Sequence, residues 1–249
     1  MDTSSLVTLD HRPWPLPNSH WQLRMSWHDL LFAHWPIAPE TVRPLIPKAL
    51  TLDTFEGRAW VGVVPFRMSG VVPRYAPEVP WMSAFLELNV RTYVTIDGKP
   101  GIWFFSLDAA NPVAVEIARR WFHLPYYRAR MTLTRTDDWL NYNSERRHRG
   151  FPTGIFEGRY RATGPSYRSQ RGTLESWLTE RYALYSADRQ GRVFRGDIHH
   201  LPWPLQPATA EITVNTICDA HGFALPSLPP MLHYADRLDV FAWRPVRVG

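Results

Sequence analysis

The sequence predicts a β-rich α+β fold, mostly antiparallel and closed or half-closed into a barrel. Three observations predict it. Many apolar segments are rich in β-branched and aromatic residues or alternate with period two. Short turns such as Asp97-Gly98 and Asp137-Asp138 join them in pairs. No regular strand–helix–strand alternation of a parallel sheet is present. About ten strands and two or three helices are expected on this pattern.

Residues 1–20 are expected to form an extended proline-rich arm, and 21–249 a single domain. Residues 27–34 form a mixed apolar strand. Residues 39–47 have proline at both ends, which suits a short helix. Residues 58–68 are β-branched and aromatic, hence a strand, and 71–81 are proline-rich and loop-like. Residues 85–96 give the clearest strand: Leu86, Leu88, Val90 and Val94 share one face, and Glu87, Asn89, Arg91 and Tyr93 the other. Residues 102–107 return after the Asp97-Gly98 turn.

Asn111-Pro112 is an N-cap followed by proline at the first helical position. Val113, Ile117 and Trp121, with Ala114 and Ala118, make the apolar stripe of that helix. Residues 128–135 and 139–147 form a hairpin, and 154–163 a further strand. Thr173 caps a second helix, with Leu174, Trp177, Leu178 and Arg181 on one side. Residues 182–186 and 193–199 flank an Asp-Arg-Gln-Gly turn, and 211–217 and 237–248 are the last strands.

The composition excludes several chemistries. The chain holds 26 arginines against two lysines, Lys48 and Lys99, so a lysine amine has only two addresses. A single cysteine, Cys218, rules out an internal disulfide and a cysteine zinc site. The first residues lack a basic start followed by an apolar run, and no apolar stretch approaches ~20 residues. A cytoplasmic protein with no signal peptide and no membrane partner is therefore expected. Residues 1–124 carry 11 basic and 11 acidic side chains, whereas 125–200 carry 14 arginines and eight acids. That excess could be an anionic-ligand or nucleic-acid footprint, but a solvated arginine-rich surface is the expected reading, and nucleic acid is not the expected partner.

Several segments stand together in order: Phe32-Ala-His-Trp-Pro, Leu45-Ile-Pro-Lys-Ala-Leu-Thr-Leu, Gly57-Arg-Ala-Trp-Val-Gly-Val-Val-Pro-Phe, Glu87-Leu-Asn-Val-Arg-Thr-Tyr-Val, Leu124-Pro-Tyr-Tyr-Arg-Ala and Ile198-His-His-Leu-Pro-Trp-Pro-Leu. Over residues 20–245 they resemble the YqjF-like family of bacterial proteins, a family of unknown function. That family in turn resembles acetoacetate decarboxylase. The resemblance implies a cone-shaped, mostly antiparallel β-barrel with its active site inside the cone. It places Glu87 at the strand glutamate of the decarboxylase, and Tyr126-Tyr127 where the decarboxylase has two lysines. A phenol forms no imine, so Schiff-base decarboxylation is not expected.

The candidate site residues follow. Glu87 is the candidate acid/base, and Arg91 and Asn89 on the same face are candidates to bind a carboxylate. Tyr126 or Tyr127 could hold an oxyanion; on a strand they point to opposite faces, so one of them is expected in the pocket. His34 and Trp35 lie where decarboxylase-like proteins contribute to the pocket. His199 could relay protons, and adjacent His199 and His200 face opposite ways, so no metal is expected. No phosphate loop, dinucleotide fingerprint or serine elbow is present, and no cofactor is expected. The expected function is a small-molecule pocket, with acid/base chemistry on a carbonyl or carboxylate compound as the catalytic version. The alternatives are a non-catalytic binding or sensing module, and a weak nucleic-acid binder through 125–200. A homo-oligomer stays open.

Overall fold

The computed structural model describes residues 4–79 and 83–249, and among them thirteen strands join one sheet. They are β1 (Leu23–Ile37), β2 (Thr51–Leu52), β3 (Ala59–Pro73), β4 (Phe85–Ile96), β5 (Lys99–Ala109), β6 (Tyr126–Thr136), β7 (Trp139–Arg146) and β8 (Ile155–Ala162). After them come β9 (Ala183–Ala187), β10 (Val193–His199), β11 (Gln206–Asn215), β12 (Met231–Ala242) and β13 (Val246–Val248). Among the described residues three helices accompany them: α1 (Pro39–Val42), α2 (Pro112–Trp121) and α3 (Leu174–Thr179). The expected β-rich α+β barrel is present. Two of the strands beyond the expected ten or so are β2 and β13, too short to show in an apolar pattern.

Two closures shape the sheet. The β4–β5 pairing closes a nine-stranded barrel in the order β5-β6-β7-β8-β11-β12-β1-β3-β4. The β10–β12 pairing closes a second circuit, β5-β9-β10-β12-β1-β3-β4, on the other face of the shared strands. All pairings are antiparallel except β5 with β6 and β5 with β9. The shared strands therefore present one face to each space. Leu88 and Val90 of β4 face the nine-stranded barrel, which is filled by Leu31, Val63, Phe105, Tyr142 and Phe156 among others. Glu87, Asn89 and Arg91 face the second space.

Bulges set which side chain faces which space. In β1, Asp29 takes a left-handed φ of 52° where the register with β3 slips. The slip switches parity, so Leu30 and Phe32 follow Met25 and Trp27 into the second core while Leu31 and Ala33 enter the barrel. Asp29 is held there by Arg67, Arg135 and the Tyr234 hydroxyl, and its carbonyl accepts from Tyr160. In β5, Phe105 is the extra residue opposite Val90–Arg91, which puts Phe104 and Leu107 on the second space and Asp108 on the barrel side.

Asn111 caps α2 as expected, its Oδ1 accepting from Val113 N and Ala114 N at 3.0 and 3.1 Å. The expected stripe is corrected: Val115 is the fully buried residue, whereas Val113 and Ile117 are each 40% exposed. The side chain of Trp121, and residues 80–82 of the expected loop, lie outside the described ones. Residues 71–73 of that loop belong to β3. The amino-terminal segment carries a 3-10 turn at Ser4–Val7 and lays Arg12 against Ile198 O, at 2.7 Å. Among the described residues no helix is long and apolar enough to cross a membrane.

One buried ion pair ties the barrel wall to the sheet. Arg146 Nε donates to both oxygens of Asp108 (2.8 and 3.2 Å), and its Nη2 donates to Ser106 Oγ. Burial nevertheless pushes the Asp108 carboxyl up, to about 6. Arg146→Met leaves that carboxylate alone in the core, so we expect a loss of ~3–5 kcal/mol in chemical denaturation at pH 8. The loss shrinks at pH 5, where Asp108 takes up a proton instead; an equal loss at both pH values contradicts the pairing.

Candidate functional site

The second space is a cavity of about 680 Å³. Its floor is β4, where alternation sets Glu87, Asn89 and Arg91 side by side, all buried. Its walls come from β1, β3, β5, β9 and β10, and α2 covers one side. Ile117 of α2 lies at the rim, lining the cavity yet 40% exposed.

At one end Tyr126 Oη donates to Glu87 Oε2 at 2.9 Å. β6 brings it there, since its parallel pairing sets Tyr126 beside Leu107 on the cavity face of β5. Burial pushes the Glu87 carboxyl up to about 8; the Tyr126 hydrogen bond opposes this and nearby Asp108 adds to it. Burial and the Glu87 charge together hold the Tyr126 hydroxyl well above its ordinary range, so it stays a donor. Behind them, Tyr142 Oη donates to the Glu87 carbonyl at 2.8 Å and fixes the backbone.

At the other end stands Arg91. It is 6% exposed, and its Nε and Nη2 are buried without a hydrogen-bond partner. It has no carboxylate partner among the described residues; its guanidinium lies 5.1 Å from the Phe32 ring centroid. Arg181 lines the same cavity. Its Nη1 pairs with Asp53 at 2.7 Å and its Nε donates to Trp177 O, but its Nη2 is also unpartnered. Of these two buried guanidiniums only Arg181 has a carboxylate partner among the described residues. Buried charges are normally paired.

Several expected residues lie elsewhere. Tyr127 is not in the cavity. It shares the face of Asp108, packs on the Arg146 guanidinium 4.5 Å from its ring, and touches His148 and Phe151. Trp35 is not in the cavity either: β1 parity turns it into the nine-stranded barrel, where its Nε1 donates to Leu228 O. His199 points away, its Nδ1 3.3 Å from Arg12 Nη1 and its Nε2 2.8 Å from Ser5 O. Its neighbour His200 lines the cavity instead, with burial pushing it down to about 4, so it is neutral near pH 7. His34 does not line the cavity but backs Arg91. Its Nε2 meets the Tyr93 hydroxyl at 2.7 Å, and a Cβ at Gly62 would stand 3.0 Å from the ring and 3.3 Å from Arg91 Cγ.

Sequence reasoning missed the cavity roles of Arg181 and Trp203. Arg181 follows α3 and Trp203 sits in the loop after β10. Both reach the cavity only through tertiary contacts, and no local pattern announces that. Neither lysine is near: Lys48 is exposed, and Lys99 lies with its Nζ 5.9 Å from the Trp14 ring. Among the described residues no group of three or more His, Cys, Asp or Glu could hold a metal ion. Ten of the fourteen arginines in 125–200 are ion-paired: Arg128, Arg130, Arg135, Arg146, Arg147, Arg159, Arg161, Arg181, Arg192 and Arg195.

The closed, mostly antiparallel barrel with a helix-covered cavity on its shared strands is the acetoacetate decarboxylase-like fold. The chain superposes on an acetoacetate decarboxylase-like enzyme from Sphingomonas wittichii RW1 with a TM-score of 0.64 at 14% identity, covering 96% of this chain and 97% of that one. It superposes equally, at 11% identity, on the enduracididine biosynthesis enzyme MppR, covering 92% and 90%. These likenesses concern the fold. The chain belongs to the DUF2071 family, described as an uncharacterized conserved protein, whose model matches residues 24–239. It is 46% identical over 228 residues to the uncharacterized protein YqjF of Bacillus subtilis (strain 168), covering 92% of this chain and 93% of that protein.

Proposed function

We propose that this protein binds a small organic acid bearing a carbonyl group and moves a proton on it without a Schiff base. The observation that carries the reading is the pairing of two features in one cavity. The unpaired buried guanidinium of Arg91 asks for an anion, and the Glu87 carboxyl, with Tyr126 on its Oε2, titrates within about a unit of neutral pH.

In this reading Arg91, with Arg181 beside it, holds the carboxylate. Ionised Glu87 takes a proton from the carbon next to the carbonyl, receiving it on Oε1 because Oε2 is occupied by Tyr126. The Tyr126 hydroxyl, its one proton given to Glu87 Oε2, holds the carboxylate in the orientation that leaves Oε1 free. Burial makes Glu87 a stronger base than an exposed carboxylate, and a pKa near 8 keeps a usable ionised fraction at neutral pH. MppR, of the same fold, has been seen with pyruvate and with the condensation product of pyruvate and imidazole 4-carboxaldehyde. That supports a carbonyl acid as the class to test.

Among the described residues the cavity wall holds no amine, so borohydride treatment with any bound carbonyl acid should leave the protein mass unchanged. A reduced adduct on Lys48 or Lys99 would overturn the mechanism. The direct test follows exchange of the protons next to the carbonyl in heavy water by NMR, using 2-oxo acids. Wild type should accelerate it; saturable binding with no exchange would make the protein a binding or sensing module.

A further inference from the structure

We propose that the ligand is an amphipathic acid, a carboxylate on a bulky alkyl or aryl body, rather than a two- to four-carbon keto acid. The inference rests on the anion-binding reading above and names the substrate class of that site. Three observations lead to it. The first is volume. A cavity of about 680 Å³ lies in the range (~300–1,000 Å³) that buries most of a drug-sized molecule, and equals the liquid volume of about twenty waters. A three-carbon acid leaves most of it unfilled.

The second is the distribution of polarity. Glu87, Asn89, Arg91 and Arg181 supply polar groups from β4 and the α3–β9 link, whereas Met25, Leu30, Val64, Phe66, Met68 and Phe104 face the same space with apolar side chains. Such a wall gives a short polar acid little, but it rewards a ligand that removes apolar surface from water.

The third is a pair of stacked indoles. Trp27 and Trp203 line the cavity with ring centroids 5.8 Å apart and planes 19° from parallel. Both Nε1 atoms are buried without an acceptor. Phe32 meets Trp203 edge-on at 4.8 Å. Indole N–H groups usually find an acceptor when buried. The ligand body therefore carries, beside its apolar part, an oxygen or ring nitrogen that accepts from one of them.

The test is titration calorimetry and tryptophan fluorescence with a homologous series, pyruvate through 2-oxooctanoate, plus phenylpyruvate and the matching primary alcohols. The expected result is roughly fourfold tighter binding per added methylene, hence about a thousandfold across the series. Quenching of fluorescence should be reduced in Trp203→Phe, a change that keeps the ring stack and removes one unpartnered donor. Arg91→Met should weaken every acid by a similar factor and leave the alcohols unaffected. A flat series that still depends on Arg91 overturns this inference alone and leaves the anion reading standing. Acids that bind no better than alcohols, or equally well to Arg91→Met, overturn the anion reading itself.

Discussion

Arg91→Met is expected to make the ligand-free protein more stable and to abolish acid binding. The guanidinium is 6% exposed, with two nitrogens unpartnered and the Phe32 ring, Tyr93 and His34 around it, none of them a carboxylate. A buried charge without a counter-ion is destabilising, and replacing buried ions by apolar side chains of similar volume commonly gains ~1–4 kcal/mol. Methionine fills most of the space and can lie against Phe32. We expect the unfolding midpoint to rise by several degrees. The same change removes the charge-assisted hydrogen bonds to a carboxylate, each ~1.5–3 kcal/mol, so affinity should fall ~10²–10³-fold or more. Gain of stability with loss of binding is the signature of a residue kept for a ligand. If Arg91→Met is destabilising, the guanidinium has a structural partner and the site is misassigned.

Glu87→Gln is expected to stop proton exchange while leaving the fold intact or more stable above neutral pH. The amide keeps an oxygen for Tyr126 but takes up no proton, so the rate should fall ~10²–10⁴-fold. In wild type the rate should rise with pH, reach half its maximum near 8 and level off about a unit above, as the carboxylate forms. The stability effect has a definite sign. Burial raises the folded value from 4.5 to about 8, so the folded state holds a proton that the unfolded chain releases. The stability associated with that proton is fully present below about 4.5 and is lost as pH rises through about 8. Glutamine escapes this loss. Relative to wild type, Glu87→Gln should gain up to ~5 kcal/mol by pH 9 and nothing at pH 4. Equal pH profiles for the two proteins would show that Glu87 is not buried as a neutral acid.

Much of this site is legible in the sequence because β4 has no bulge between Glu87 and Arg91 on its own strand. Period two carries those residues to one face, and Leu88 and Val90 to the other. β1 is not legible in that way. The Asp29 bulge reverses its parity, which sends Trp35 into the barrel and leaves His34 behind Arg91. Strand alternation also says that Tyr126 and Tyr127, or His199 and His200, part company, without saying which goes inward. The parallel pairing of β6 with β5 decides the first pair in favour of Tyr126, and the second is decided by the amino-terminal segment, which holds His199. The α2 stripe misleads because a helix covering a cavity turns Ala114, Ile117 and Ala118 toward open space rather than toward filled core. Arg181 and Trp203 arrive from outside the strand pattern altogether.

The central claim is that one cavity holds the anion of a carbonyl acid at Arg91 and presents Glu87 to its carbon. Its most direct test is proton exchange on a 2-oxo acid in heavy water, measured for wild type, Arg91→Met and Glu87→Gln on one day at pH 8. Acceleration by wild type is predicted, with Arg91→Met lost through KM and Glu87→Gln through kcat. Exchange that survives both substitutions would contradict it.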